Sequence, residues 1–174
     1  MGEILNPTPV MLVMAVSTRY QDALTWAEER AVAEFGPLLS KSQAFDFVET
    51  NYYQATMGKE LKKQFLSFQN FMDPGLLPQI KHTTNALEKL CADKMGYPET
   101  RPLNLDPGYL TLAKLVLATT KDHAHRIYMG DGIYAEVTLN YRHGCWQKCD
   151  WTYPDYQRED YQGYFTQCRQ ELRG

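Results

Sequence analysis

The stretch "NLDPGYLTLAKLVLATTKDHAHRIYMGDGIYAEVTLNY", Asn104 to Tyr141, changes hydrophobic period part-way along, and the fold turns on how it is divided. Its first half contains "DPGYL" from Asp106, which matches "DPGLL" from Asp73, and in each case a lysine follows eight residues after the Asp. An Asp that accepts first-turn amide bonds, with Pro at the first helical position, is a helix start. Both segments are therefore read as helices. In the second, Thr111, Lys114, Ala118 and Lys121 fall on one stripe while Leu112, Leu115, Val116 and Leu117 cover the rest, which describes a mostly buried helix. The match is shared capping chemistry and not a repeat, because nothing around it recurs.

After Lys121 the period becomes two. Ile127, Met129, Ile133, Ala135, Val137 and Leu139 are apolar, and the even positions Arg126, Tyr128, Tyr134, Glu136, Thr138 and Asn140 are polar or amphipathic. A three-residue Gly-Asp-Gly loop with Met129 opposite Ile133 keeps the two sets apart, whereas a two-residue loop mixes them. That register sets Arg126 opposite Glu136 and Tyr128 opposite Tyr134, both favourable cross-strand pairs.

Working outward, Val10 to Val16 is a continuous apolar strand; Ser17 or Thr18 caps a helix whose Leu24, Ala27, Ala31 and Phe35 share a face before Gly36 stops it. Phe45 and Phe47 alternate about Asp46 in a second strand, and "KKQFLSFQNF" alternates as a third. The helix from Asp73 buries Leu76, Ile80, Thr84, Leu87 and Cys91 and ends at Gly96 and Pro98; a short strand "PLNL" follows. From Asp155 to Leu172, the helical spacing of Tyr161, Tyr164, Phe165, Cys168 and Leu172 reads as a covering helix. The order is that of a single α+β domain spanning residues 1–174, a sandwich of mainly antiparallel sheet with helices on one face. Its first part has the βαββαβ pattern of ferredoxin-like folds, followed by a helix, a β-hairpin and a C-terminal helix.

With Lys+Arg 18 against Asp+Glu 21, the net charge of −3 provides no global field for nucleic acid or anionic lipid. At 44% hydrophobic and 13% aromatic, the chain is far from the composition of disorder. The apolar run Val10–Val16 is too short for a membrane span and lacks a basic segment before it, so neither a signal peptide nor a membrane partner is expected. Met1 and Gly2 begin a myristoylation pattern that Asn6 breaks. Four cysteines, Cys91, Cys145, Cys149 and Cys168, are too sparse for a disulfide framework and are expected as free thiols in a cytoplasmic protein.

Chemistry concentrates in the opening stretch. Asn104 and Asp106 stand at a helix start, where free amides hold a phosphate, or where Asp106 fills that role itself as the cap. Lys114 and Lys121 on the polar stripe are phosphate ligands or solvated lysines. Arg126 with Glu136 is an anion-binding arginine held by a carboxylate, or a ladder pair. His123 and His125 point to one face of a strand and, with Asp106, offer a metal set; a hydrogen-bonded role at the rim is the commoner fate, and no metal or cofactor is assigned. His143, Cys145 and Cys149 are ligand types without the second pair a zinc site needs. Tyr128 with Tyr134, Tyr52 with Tyr53, and "WTYPDY" from Trp151 supply aromatic faces that stack on bases or sugars, or pack over a sheet edge.

There is no G-x-x-x-x-G-K-[ST] loop, since "MGKE" at Met57–Glu60 lacks both the first Gly and the hydroxyl; G-x-G-x-x-G and G-x-S-x-G are also missing. "TTKDH" at Thr119–His123 has His123 where a guanine-reading Asp belongs. "NLDPGYLTLAKLVLATTK", "HRIY", "GIYAEVTL", "WTYPDY" and "YYQATMG" together resemble a family of small bacterial proteins with a domain of unknown function, over about Pro9 to Leu172. The resemblance implies no catalytic residue. The residues thus point to a binder of a small phosphorylated ligand such as a nucleotide, with enzymatic activity left open. The rival is a non-catalytic interaction or RNA-associated module using the Tyr-rich basic face.

Overall fold

The strand β1 (Val10–Thr18), nine residues that open with the apolar run Val10–Val16, is buried along its whole length, because it lies between two strands with both of its faces covered. The computed structural model describes residues 2–49 and 53–173. After β1 come α1 (Gln21–Phe35), β2 (Leu38–Lys41), β3 (Phe45–Asp46), the short α2 (Gln54–Met57) and β4 (Lys62–Met72). A 3-10 turn (Pro74–Leu76) leads into α3 (Leu77–Met95), followed by β5 (Leu103–Leu110) and β6 (Lys114–Thr119). Next are β7 (Ile127–Gly130), β8 (Ile133–Arg142), β9 (Cys145–Lys148), a second 3-10 turn (Pro154–Gln157) and α4 (Glu159–Glu171).

The described residues form one nine-stranded sheet with the path β2-β4-β1-β5-β6-β8-β7; β3 pairs with β4 and β9 with β8. Every pairing is antiparallel. In β1–α1–β2 the strand β4 is inserted between the two parallel strands, and in β4–α3–β5 it is β1 that is inserted. Two split βαβ units interlocked in this way are the ferredoxin-like arrangement expected.

Alternation along β1 builds the layers. Leu12, Met14 and Val16 pack with Leu24, Ala27 and Ala31 of α1 and Ile80, Leu87 and Cys91 of α3. Met11, Val13 and Ala15 face the other way, onto Tyr161, Tyr164, Phe165 and Cys168 of α4. Helices on one face therefore describes α1 and α3; the C-terminal helix packs on the opposite face, where Phe65 contacts Tyr161 edge to face at 4.7 Å.

Asp73 acts as read, its Oδ1 accepting the Gly75 amide at 2.7 Å, and Gly96 ends α3 in the left-handed region at φ 67°. Thr18 does not cap α1; it belongs to β1 and its Oγ1 accepts the Tyr20 amide at 3.2 Å.

The helix expected after Asp106 is instead two antiparallel strands, β5 and β6. Three local facts explain the difference. A Cβ on Gly108 would stand 2.1 Å from the Val116 carbonyl oxygen, so this glycine lets β6 approach where no side chain fits. Thr111 Oγ1 accepts the amides of Ala113 and Lys114, each at 3.1 Å, which closes a turn in mid-segment. Leu115–Ala118 is then a short run buried on both faces, and a run of that length has no period that separates strand from helix.

In the β7–β8 hairpin, Tyr128 faces Tyr134 as read, and Ile127 faces Ala135. The loop differs. Gly130, not Met129, opposes Ile133, with a register shift between Tyr128 and Gly130. Asp131 (φ 52°) and Gly132 (φ 75°) make a two-residue turn of the kind whose twist suits a hairpin, and the bulge absorbs the extra residue so the two faces do not mix.

Candidate functional site

Between β5 and β6, paired residues run only from Gly108 opposite Leu117 to Leu110 opposite Leu115. Before Gly108, β5 keeps β1 as its partner on one side, while its other edge turns toward α3. The backbone of Leu105, which β6 would otherwise pair, is satisfied by side chains: Glu88 Oε1 accepts its amide at 2.7 Å and Lys81 Nζ donates to its carbonyl at 2.9 Å. Pro107 has no amide to offer. The strands part here, and a cavity of about 430 Å³ occupies the opening, lined by Asn104 and Asp106 of β5 and by Leu117, Ala118 and Thr119 of β6.

Ion pairs wall the cavity. Lys63 of β4 donates to Asp155 Oδ2 at 2.5 Å, with both side chains only 6% exposed, and its Nζ lies 3.8 Å from the centre of the Phe47 ring. Lys81, 5% exposed, reaches Asp106 Oδ1 at 3.2 Å; Asn104 Nδ2 donates to Asp106 Oδ2 at 2.6 Å. Arg101 donates to Asn104 Oδ1 and, through Nη2, to Glu88 Oε2 at 3.0 Å. Across the opening, the buried Arg126 side chain donates from Nε to Glu136 Oε2 at 2.8 Å and from Nη2 to the Tyr153 hydroxyl at 2.7 Å; Nη1 reaches the Lys121 carbonyl at 3.0 Å.

The electrostatics differ from pair to pair. Asp106 lies deep in the protein, which pushes its carboxyl up, but the Lys81 and Lys63 ammonium groups outweigh burial and hold it below the usual carboxylate range. Its side chain is nevertheless 30% exposed, because it opens onto the cavity. Glu88, by contrast, is raised by burial in spite of Arg101. Burial also raises the phenols of Tyr53 and Tyr153. Burial alone would lower Arg126, but its interactions with Glu136 and Tyr153 together outweigh burial and raise it.

Of the residues singled out from sequence, Asn104, Asp106, Lys121, His123, Arg126 and Glu136 line the cavity together. Asn104 and Asp106 are strand residues there, not a helix cap. His125 stands just behind, its Nε2 3.1 Å from Glu136 Oε2 and its ring stacked on Trp151 at 5.0 Å. Lys114 is at the far end of β6, opposite Asn140, and Tyr128 is exposed on the outer strand β7; neither lines the cavity. Lys114 and Lys121 do not share a helical stripe, since Lys114 begins a strand and Lys121 lies beyond its end. Tyr53 lines the cavity, and Tyr52 lies outside the described residues. Among the described residues no three His, Cys, Asp or Glu side chains gather as a metal set, and all four cysteines are free.

Sequence reading missed Lys63, Lys81, Asn85, Arg101 and Asp155. Two of these left a trace. Strand parity puts Lys63 on the face of Phe65, and Lys81 and Glu88 are seven apart on one side of α3.

The family model for a domain of unknown function, DUF4416, matches residues 8–172. The chain belongs to that family. No curated protein and no solved structure matches it. The DUF4416 match takes in every residue that lines the cavity. No helix among the described residues is long and apolar enough to cross a membrane.

Proposed function

We propose that the protein binds a small phosphorylated ligand, of nucleotide or sugar phosphate size, in the opening between β5 and β6. The observation that carries this is a cavity of about 430 Å³ walled by charged side chains. That volume falls within the roughly 300–1,000 Å³ of small-molecule sites. Among its lining side chains the five cations Lys63, Lys81, Arg101, Lys121 and Arg126 stand against the four carboxylates Glu49, Asp106, Glu136 and Asp155. The deep cations Lys63, Lys81 and Arg126 are matched one to one with acids, Arg101 pairs with Glu88 at the edge, and Lys121 brings a further positive charge to the exposed rim. Such a wall favours an anion at the rim and polar groups further in.

A thermal-shift panel of nucleotides, sugar phosphates, inorganic phosphate and short RNA tests the reading. A ligand at 100 times its dissociation constant adds about 2.7 kcal/mol, which is several degrees in a chain of this size. The shift is expected with phosphorylated small molecules and lost in Arg101→Ala/Lys121→Ala. No shift with any phosphorylated compound would overturn it.

The second reading, a non-catalytic interaction or RNA-associated module, draws on β7. Ile127, Tyr128 and Met129 are exposed in sequence on a strand that ends the sheet. RNA held there would dissociate steeply with added salt and would be indifferent to Arg101→Ala/Lys121→Ala.

A further inference from the structure

We infer that the ligand is a polyhydroxylated phosphate ester, seated with its hydroxyls on Asp106 at the cavity floor and its phosphate toward Arg101 and Lys121 at the rim. This rests on the small-ligand reading above and adds the substrate class and the direction of binding.

The inference starts from Asp106. Each of its oxygens accepts one bond from the protein, Oδ1 from Lys81 and Oδ2 from Asn104, and a carboxylate has room for about four. The remaining acceptor capacity faces the cavity, since the side chain is 30% exposed while its partner Lys81 is 5% exposed. An ionised carboxylate can only accept, so what meets it must be a donor. A ligand ammonium would bring a second cation to a carboxylate whose charge Lys81 already matches, and would itself be left without a counter-charge in the wall. Hydroxyls carry donors without that charge.

The floor is polar beyond Asp106. Ser17 is not itself a lining residue, but it lies opposite Lys63 on one side and Asn104 on the other and shares their face, and among the described residues its buried hydroxyl has no hydrogen-bond partner. Asn104 uses one amide proton on Asp106 and lines the cavity. The rim has the opposite character. Arg101 is 39% exposed and Lys121 is exposed, so two cationic side chains of the lining stand where a ligand's charged end meets solvent. A molecule with neutral donors at one end and a dianion at the other fits this polarity in one direction only.

The test is calorimetric titration of the purified protein with ribose 5-phosphate, 2-deoxyribose 5-phosphate, ribose and inorganic phosphate. A hydrogen bond to a charged partner is worth enough that losing one hydroxyl weakens binding roughly ten- to hundredfold. The expected order is ribose 5-phosphate well ahead of its deoxy counterpart, with inorganic phosphate and ribose weaker still. Asp106→Asn should weaken ribose 5-phosphate by a similar factor without weakening inorganic phosphate; Arg101→Ala/Lys121→Ala should weaken both. Equal affinity for the ribose and deoxyribose phosphates, together with an Asp106→Asn variant that binds ribose 5-phosphate normally, would overturn this inference and leave the small-ligand reading standing. No binding of any phosphorylated probe would remove both. The comparison of hydroxylated and deoxy ligands uses the unaltered protein, so it decides the matter even where Asp106→Asn folds poorly.

Discussion

The two halves of β5 have the same neighbour on one side and opposite surroundings on the other. Beyond Pro107, Gly108–Leu110 pairs with β6, and Leu110, Leu115 and Leu117 join the apolar layer under α4. Before Pro107, Leu103–Asp106 has no β6 beside it; α3 side chains satisfy its backbone, and the space fills with charge. A missing amide followed by a residue without a side chain marks the change. Pro107 and Gly108 let one strand serve the core at one end and a polar cavity at the other, and the charged half can persist only because its acids and bases are matched.

The closed pairs should show the largest effect. Lys63→Ala leaves Asp155 buried without its partner, and removing one member of a buried pair costs about 3–5 kcal/mol. Urea denaturation of Lys63→Ala is expected to show that loss, and Lys63→Met/Asp155→Leu to recover most of it, since a buried pair replaced by apolar residues of similar volume is often neutral. If Lys63→Ala cost under 1 kcal/mol, the charged half would not depend on matching.

Gly108→Ala attacks the boundary itself. The added methyl meets a backbone oxygen at 2.1 Å, and backbone yields less readily than a side-chain tip. Overpacking of this kind costs about 1–3 kcal/mol. A melting temperature lowered by several degrees is expected, with faster amide exchange at Leu115–Leu117 as β6 is pushed away. Unchanged exchange there would mean that Gly108 does not hold the strands together.

Several elements of the fold were legible because their signals agree across levels. The apolar run Val10–Val16 and the spacing of Tyr161, Tyr164, Phe165 and Cys168 each favour one structure, and the Asp73–Pro74 start is backed by the helical spacing of Ile80, Thr84, Leu87 and Cys91. Asp106–Lys114 failed for a definite reason: Asp-Pro-Gly carries the same local chemistry whether the chain goes on as helix or strand, and at Gly108 it is the close approach of β6, across the turn that Thr111 closes, that decides. Six of the proposed site residues nonetheless converge: Arg126 and Glu136 meet because they share the polar face of the hairpin, and Asn104 and Asp106 of β5 with Lys121 and His123 of the β6–β7 connection join them through the tertiary fold. Lys63, Lys81 and Asp155 come from three separate elements, and only the tertiary fold brings them to the same wall.

The smallest effect separates Asp106 from Glu88, two carboxyls attached to the same half-strand and shifted in opposite directions. Asp106 is held below its ordinary value by Lys81 and Lys63, so the unfolded chain binds its proton first as pH falls. Its contribution is fully present above an unfolded pKa of about 4 and is lost as pH falls through the lower folded value. Glu88 is raised by burial, so the folded state takes its proton first; its ionisation costs stability at neutral pH, and that cost fades as pH falls toward about 4.3. Each slope is bounded at about 1.4 kcal/mol per pH unit, the value for one whole proton. Denaturation followed from pH 7 to pH 3 should therefore show Glu88→Gln altering the slope on the neutral side and Asp106→Asn altering it only below about pH 4. If both variants changed the same window in the same sense, the wall would not distinguish a carboxylate that faces the cavity from one that faces the strand edge.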